Sequence, residues 1–533
     1  MIALGIEGTA HTISCGIVDQ ENILSNSSRT YHNPNGGIHP REAAQHHADH
    51  VKGVIDEAMQ NAGVKLDNID LITYSRGPGL GPCLRIAATA ARTLSVKSGK
   101  PIIGVNHPLG HVEIGRKVTG AKDPIMLYVS GGNTQVISHY NGRYRVMGET
   151  MDIGLGNLLD KLGRDLGYPF PGGPQIEKLA LQGKKLLELP YSVKGMDTSF
   201  SGIYTAAREH LRKGNSREDV CLSVQEYSFA MLLEVLERGL HQTSKNEILL
   251  AGGVAKNLRL REMISELASD LGIKAHLTAD QYCMDNGAMI AQGGLLMYEN
   301  GYRMGLEDST IDQRFRIDQV EAPWIPESGK SIPEYRGAES IVNFTDYHGR
   351  ETITKMRIPK AYRNAELDNI IRMSRLRNEL SIILKGKELG IPFPNVYDVD
   401  SVNYSTTYER ISGRTLRGYI KQENGPDNIM DAIGGFVGRM HTAGITHGDL
   451  TVANILVNKY GKPFFIDTSM GKADSEIEDM AVDLYLFYES LKAVSSNPDL
   501  EISHFRTGYQ REFNRWSEVF ETVADLELRR RYV

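Results

Sequence analysis

Two stretches of this chain repeat one local pattern: "ALGIEGTAHTISCGIV" (3–18) and "MLYVSGGNTQVISHY" (126–140) each read as strand, turn of glycine and small polar residues, strand. Strands this apolar need cover on both faces, so the pattern demands helices on either side of a sheet. Segments of helical period supply them. After the first hairpin come "AAQHHADHVKGVIDEAMQNAG", a strand "IDLITYSRGPG", an Ala-rich helix from Leu84 to about Val96, and a strand "PIIGVNH". That succession predicts an α/β fold with a mostly parallel or mixed sheet. Glycine in the repeated turns removes the Cβ that would keep backbone amides away from a phosphate. A third glycine turn, in "ILLAGGVAKNLRLREMI" (248–264), runs from a strand into a helix, whose N-terminus favours an anion or the polar parts of a nucleotide.

A chain of 533 residues is too long for one core, and the proline-punctuated "QVEAPWIPESGKSIPEYRG" has neither helical nor strand period. It divides the chain into a domain at 1–322, a linker at 323–334 and a domain at 335–533. A net charge of −6 gives no global pull on nucleic acid, so RNA would need local patches. The stretch 355–377, with Lys355, Arg357, Lys360, Arg363, Arg372, Arg375 and Arg377, is one candidate and "RRR" at 529–531 another; a solvated helix face and a charged tail are the plainer readings. Four scattered cysteines without a CxxC argue against disulfides and structural zinc and fit a reducing cytoplasm. No apolar run approaches membrane-spanning length, and Glu7 with no basic n-region speaks against a signal peptide.

In "NHPLGH", Asn106 can cap a helix with Pro108 in its first turn, which would put His107 and His111 one above the other on one face. Chance must be weighed: 16 histidines in 533 residues give about half of one such pair without function. His46 and His50 in "HHADH" have the same spacing. Pro108 stands where a zinc protease of the HExxH type needs its glutamate.

The stretches "GIEGTAHT", "GPGLGPCLR", "NHPLGH", "YVSGGNTQ", "DIGLGNLLDKLGRDLG", "FPGGPQIEKLA", "DTSFSGIYTAA", "AGGVAKN" and "CMDNGAMIA" are spread in order over nearly all of residues 1–300. In them the first domain resembles the tRNA threonylcarbamoyladenosine synthase family, TsaD in bacteria and the catalytic subunit of the KEOPS complex in archaea and eukaryotes. The resemblance implies an actin/sugar kinase/Hsp70-type duplicated fold with nucleotide in the cleft. It also implies a metal held by His107, His111, Asp285 and, as in archaeal members, Tyr128; nitrogen ligands favour a transition metal over magnesium, and iron is expected, with zinc close behind. Ser130, Gly131, Gly132, Asp160, Gly173, Glu177 and Asn257, with Tyr128 beside them, are the expected adenylate contacts, Asp160 and Glu177 taking the ribose hydroxyls. The reaction implied moves threonylcarbamoyl from threonylcarbamoyl-adenylate to the exocyclic amine of the tRNA adenosine next to the anticodon.

The C-terminal part carries the elements of phosphoryl transfer in order. In "ITHGDLTVANILV" Asp449 would stand by the acceptor hydroxyl; Asn454, with Asp467 of "FFIDTS", would bind Mg2+. Lys355 in "TITKMR" would meet the phosphates of ATP, and Glu379 on the helix "RMSRLRNELSIILKGKELG" would orient it. The glycine-rich GxGxxG loop is missing, with "RGAESIVNF" in its place; "DTS" replaces DFG and no APE follows. With "KMRIPKAYR" (355–363), this domain resembles the small, bilobal RIO-like atypical serine/threonine kinase of KEOPS, and the missing peptide-docking segment favours use as an ATPase. The expectation is a cytoplasmic bifunctional tRNA-modifying enzyme, partnered by tRNA and other KEOPS subunits and not by a membrane. The alternatives are a protein kinase with a nucleotide-binding scaffold, a sugar kinase, or a metallopeptidase.

Overall fold

The computed structural model describes residues 1–33, 37–243, 245–326, 338–421 and 427–532. The chain forms two units, Met1–Ile332 with Ala361–Arg363, and Pro333–Lys360 with Asn364–Val533.

The first unit holds two five-stranded sheets of one design. In the first, β1 (Ala3–Glu7) pairs antiparallel with β2 (Thr12–Val18), which pairs with β3 (Ile23–Thr30); on its other side β1 runs parallel to β4 (Leu71–Gly77), and β4 to β5 (Ile102–Asn106). In the second, β6 (Ile125–Val129), β7 (Thr134–Tyr140) and β8 (Arg143–Glu149) form the antiparallel meander, and β11 (Glu247–Ala251) and β12 (Lys274–Leu277) extend β6 in parallel. The strand–turn–strand echo of the sequence is therefore β1–β2 and β6–β7. A short hairpin, β9 (Val193–Lys194) with β10 (Asp197–Thr198), stands apart.

Cover comes from α1 (Pro40–Ala62) and α2 (Gly81–Ser98) on one face of the first sheet, where Leu4, Ile6 and Ile72 meet Val54, Ala58, Ala87 and Ala91. A second core runs from that sheet to the other through α3 (His107–Thr119) and α10 (Gly287–Glu299), joining Ala3, Leu71 and Val105 to Leu109 and Met289 and on to Met126 and Leu249. Glycine makes this possible: a Cβ on Gly16 would lie 2.1 Å from the backbone nitrogen of Ala288, so helix and sheet backbones touch. The remaining helices are α4 (Leu155–Asp165), α5 (Gly173–Ala180), α6 (Ser201–Arg212), α7 (Arg217–Thr243), α8 (Leu258–Leu271) and α9 (Asp280–Cys283). A single 3-10 turn, Gly253–Lys256, stands between the third glycine turn and α8. The sequence-predicted linker lies partly outside the described residues, but its start is packed: Trp324 and Ile325 belong to the first unit's core.

The second unit has a four-stranded antiparallel sheet in the order β13 (Ser340–Tyr347), β14 (Arg350–Arg357), β16 (Ser405–Glu409), β15 (Val396–Asp400), with the long α11 (Ala365–Glu388) inserted between β14 and β15. Then come a small sheet, β17 (Gly413–Thr415), β18 (Ile455–Asn458) and β19 (Pro463–Phe465), and the helices α12 (Leu416–Ile420), α13 (Asp427–Thr442), α14 (Ile477–Lys492), α15 (Pro498–Glu512) and α16 (Trp516–Tyr532). Their core gathers Met430, Val437, Phe465, Leu484, Phe487, Phe505 and Tyr509.

The basic stretch 355–377 is not a surface patch. Lys355, Arg357, Lys360 and Arg363 are buried, Arg372 pairs with Asp368 at 2.7 Å and Arg375 with Glu339 at 3.1 Å, leaving Arg377 exposed. Desolvation explains the correction: such charges fold inward only when neighbouring carboxylates receive them. The arginines at 529–531 continue α16, and their side chains fall outside the described residues.

Candidate functional site

β5 ends at Asn106, whose side chain accepts a hydrogen bond from the backbone N–H of Leu109 at 3.1 Å and so starts α3 at His107 with Pro108 in its first turn. One helical turn separates His107 from His111; both are buried and their ring centroids stand 4.8 Å apart. Asp285 sits just before α10, where Asn286 caps the helix by accepting from Met289 at 2.9 Å. Its Oδ1 is 3.4 Å from Nε2 of His107 and 3.4 Å from Nε2 of His111. The three donor atoms lie within 4.8 Å of one another. Ligands about 2.1 Å from a tetrahedral ion stand about 3.4 Å apart, so the spacing suits a transition metal. Tyr128 is the last but one residue of β6, its ring 5.0 Å from that of His111, and its buried hydroxyl has no hydrogen-bond partner among the described residues.

Burial opposes charge on every one of these groups, and their mutual contacts decide the outcome. Burial would hold Asp285 neutral, but His107 first and His111 next to it keep its carboxyl well below the usual range. Burial likewise works against a charged His107, yet the carboxylates of Glu7 and Asp285 hold it well above its ordinary value. His111 and Tyr128 follow burial, the imidazole lowered and the phenol raised.

Glu7, noted in the sequence only as an acid unsuited to a signal peptide, belongs to this cluster. It is fully buried at the end of β1, its Oε2 3.1 Å from Nδ1 of His107, while its Oε1 accepts from the backbone and hydroxyl of Thr9 at 2.7 and 2.6 Å. The one available signal was an acid closing an otherwise apolar strand.

The turn after Tyr128 carries Ser130, Gly131 and Gly132. Its carbonyls are tied to the start of α4, Ser130 accepting from Gly156 at 3.1 Å and Gly131 from Asn157 at 2.9 Å. A Cβ on Gly154 would lie 2.6 Å from the loop carbonyls, whereas the space around Gly132 is open. Asp160 on α4 accepts from the backbone of Gly172 at 2.7 Å, and burial raises its pKa against the pull of Gly172 and Gly173. Gly173 opens α5; Glu177 on that helix accepts from the N–H of Leu258 at 2.7 Å, where α8 begins. Asn257 is committed to the fold: its side-chain oxygen caps α8 through Leu260 at 3.0 Å and its amide donates to Gln225 at 3.0 Å. Hydrogen bonds thus tie the turn to α4, α4 to the start of α5, and α5 to the start of α8.

The second unit has a cluster of its own. Nζ of Lys355 on β14 lies 3.2 Å from Glu379 of α11 and 2.7 Å from Asp467. Arg357, which sequence reasoning gave no role here, also ion-pairs Glu379. Burial disfavours the Lys355 cation, but Asp467 and then Glu379 raise its pKa; Asp467 is lowered by Lys355 against the same burial. Asp467 has a φ of 61°, a left-handed conformation costing roughly 1–3 kcal/mol and held by Lys355 and by Ser469 of "DTS", which donates to it at 3.0 Å. Asn454 donates to the carboxylate of Asp449 at 2.9 Å and to its carbonyl at 2.8 Å, and its own carbonyl accepts from Ile466 at 3.0 Å, next to Asp467. Asp483, also unforeseen, is buried in α14 and accepts from the backbone of His447 at 2.6 Å and of Gly448 at 2.8 Å, fixing the approach to Asp449. Arg336 and Gly337 of "RGAESIVNF" lie outside the described residues; from Ser340 the stretch is strand β13.

A duplicated α/β fold of the actin type with a histidine–carboxylate cluster beside a glycine loop, followed by a kinase-like domain, defines the class. Residues 22–292 match the model of the TsaD family, tRNA N6-adenosine threonylcarbamoyltransferase, and residues 409–490 that of the lipopolysaccharide kinase (Kdo/WaaP) family. A protein of Thermoplasma acidophilum, called a probable bifunctional tRNA threonylcarbamoyladenosine biosynthesis protein, is 54% identical over the full length of both chains. One so named from Methanothermobacter thermautotrophicus is 46% identical over the full length of both. The chain belongs to this family of bifunctional tRNA threonylcarbamoyladenosine biosynthesis proteins. Among solved structures, HypF of T. kodakarensis covers 58% of this chain and 49% of its own at 15% identity, with a TM-score of 0.43, too distant a likeness to carry an argument.

Proposed function

We propose that the first unit transfers threonylcarbamoyl from threonylcarbamoyl-adenylate to the exocyclic amine of the tRNA adenosine next to the anticodon. The observation that carries this reading is the convergence of His107, His111 and Asp285 beside the Ser130–Gly132 turn. In the reaction the amine nitrogen bonds to the carbamoyl carbon, the bond from that carbon to the adenylate oxygen breaks, AMP leaves with the electron pair, and the surplus amine proton passes to solvent. The electrophile is a mixed anhydride, already activated, so the site must supply orientation and charge stabilisation rather than a nucleophile. The donor set fits a metal: two imidazole nitrogens each 3.4 Å from one carboxylate oxygen, all three within 4.8 Å of one another, with a buried phenol beside them. Iron, or zinc as the near alternative, would be held by His107, His111, Asp285 and Tyr128, and would supply Lewis-acid polarisation of the substrate's oxygens.

The chain's own part is placement. Amides of Gly131 and Gly132 receive the phosphate, whereas the expected Ser130 amide is already given to the Asn133 carbonyl at 2.8 Å; Asp160 and Glu177 accept from the ribose hydroxyls, and Gly173 keeps the wall open. Asn257 holds the α8 terminus that faces the nucleotide. Alanine at both His107 and His111 is expected to abolish modified adenosine when stripped tRNA is given preformed adenylate; undiminished transfer would overturn the reading.

In the second unit Lys355, oriented by Glu379, binds the phosphates of ATP; Asn454 and Asp467 would hold Mg2+, with Asp449 at the acceptor. The unit acts chiefly as an ATPase that resets the transferase. Asp467→Ala should lose ATP turnover and with it repeated rounds of tRNA modification; full multi-turn modification without ATP turnover would refute that use. Other KEOPS subunits are the expected partners and the cytoplasm the expected compartment, in keeping with four buried free cysteines. No helix among the described residues is long and apolar enough to cross a membrane.

A further inference from the structure

We infer that Glu7 is a positioning residue for the metal centre, acting through His107; this rests on the reading of His107 as a ligand. An imidazole ligates through one nitrogen, and the bond made by the other fixes tautomer and ring orientation. Nε2 of His107 faces Asp285 at 3.4 Å, so Nδ1 must be the outward nitrogen, and Glu7 Oε2 meets it at 3.1 Å. With Nδ1–H donated to that carboxylate, the lone pair of Nε2 is left for an ion, and the negative charge makes the ring a stronger donor.

The carboxylate is itself locked. Glu7 is fully buried on β1, and its other oxygen accepts from both the backbone N–H and the hydroxyl of Thr9, at 2.7 and 2.6 Å. Thr9 Oγ1 also lies 3.4 Å from Nδ1 of His107, so it closes the triangle without displacing the carboxylate. Glu7 and His107 are 100 residues apart, one ending β1 and the other starting α3. A buried carboxylate is costly unless its oxygens are hydrogen-bonded, and His107 serves Oε2 as Thr9 serves Oε1. Glu7 therefore ties the turn after β1 to the start of α3 through His107.

The test uses the full-length chain stripped by chelator, with zinc as probe and a chromophoric chelator in competition. Glu7→Gln keeps the shape and loses the charge; its zinc affinity should fall about 10- to 100-fold, and Glu7→Asp should recover part of that. In a His107→Ala background the same Glu7→Gln change should alter zinc affinity less than twofold, since the effect travels through that ring. Should Glu7→Gln fail to fold, Thr9→Val, which removes one bond to the carboxylate, should lower affinity several-fold. Wild-type zinc affinity in folded Glu7→Gln, or an equal loss with and without His107, would overturn the role of Glu7 alone. A wild-type chain that takes up no zinc or iron would instead overturn the ligand reading beneath it.

Discussion

The Tyr128 hydroxyl is buried without a hydrogen-bond partner among the described residues, its ring 5.0 Å from that of His111. Leaving such a group unsatisfied costs about 1–3 kcal/mol. Tyr128→Phe deletes the cost and almost nothing else, so the chelator-stripped variant should be about 1 kcal/mol more stable than the wild type. With metal the sign reverses. If the phenol is a ligand, its loss weakens zinc binding at least tenfold, and the stabilisation by a fixed excess of zinc shrinks by about 1.4 kcal/mol. The assay is denaturant unfolding of the full chain, followed by the burial of the first unit's amides in hydrogen exchange, with and without zinc. A stripped variant less stable than wild type by 1 kcal/mol or more, with an unchanged zinc increment, would show a core tyrosine with a partner of its own and refute the reasoning.

The other expectations follow from equally local facts. Gly156→Ala puts a Cβ 2.6 Å from the Ser130 carbonyl, so α4 must back away from the turn; adenylate KM should rise at least tenfold while zinc affinity holds, and an unchanged KM would count against the turn as the phosphate cradle. Asp483→Asn replaces the acceptor of the His447 and Gly448 N–H groups, and kcat for ATP should drop tenfold or more with a smaller change in ATP affinity; equal kcat would show that these bonds do not set Asp449. Burial would raise the pKa of Asp152, but hydrogen bonds from Phe200, Ser199 and Ser201 lower it from 3.8 to about 2. A folded value below the unfolded one means stability present above pH 4 and lost as pH falls towards 2, so acid melting curves of wild type and Asp152→Asn should converge in that window.

How much of the site could be read in advance follows from sequence distance. The His107–His111 pair, its Asn106 cap, the glycine turns and the two-fold repeat of hairpins are local, each set by neighbours within one helical turn or one hairpin, so residue spacing alone reveals them. Asp285 lies 174 residues from His111 and entered only through family resemblance, because no periodicity links a residue before α10 to one on α3. The roles of Arg357, Asp483 and Glu7 escaped notice for the same reason: each residue acts on a partner that packing, not spacing, brings near. The basic run at 355–377 failed in the opposite way, since composition counts charge but not whether a carboxylate waits for it in the interior.

The succession of strands, the duplicated turns and the histidine pair were thus written in the chain itself, because hydrogen-bonded elements and side-chain alternation depend on short-range order. Which of those side chains face one another was decided when α3 and α10 packed between the two sheets, backbone against backbone at Gly16 and Ala288. That contact draws the ends of β1, β6, α3 and α10 together, and with it an acid, a phenol, two imidazoles and a carboxylate that the sequence holds far apart.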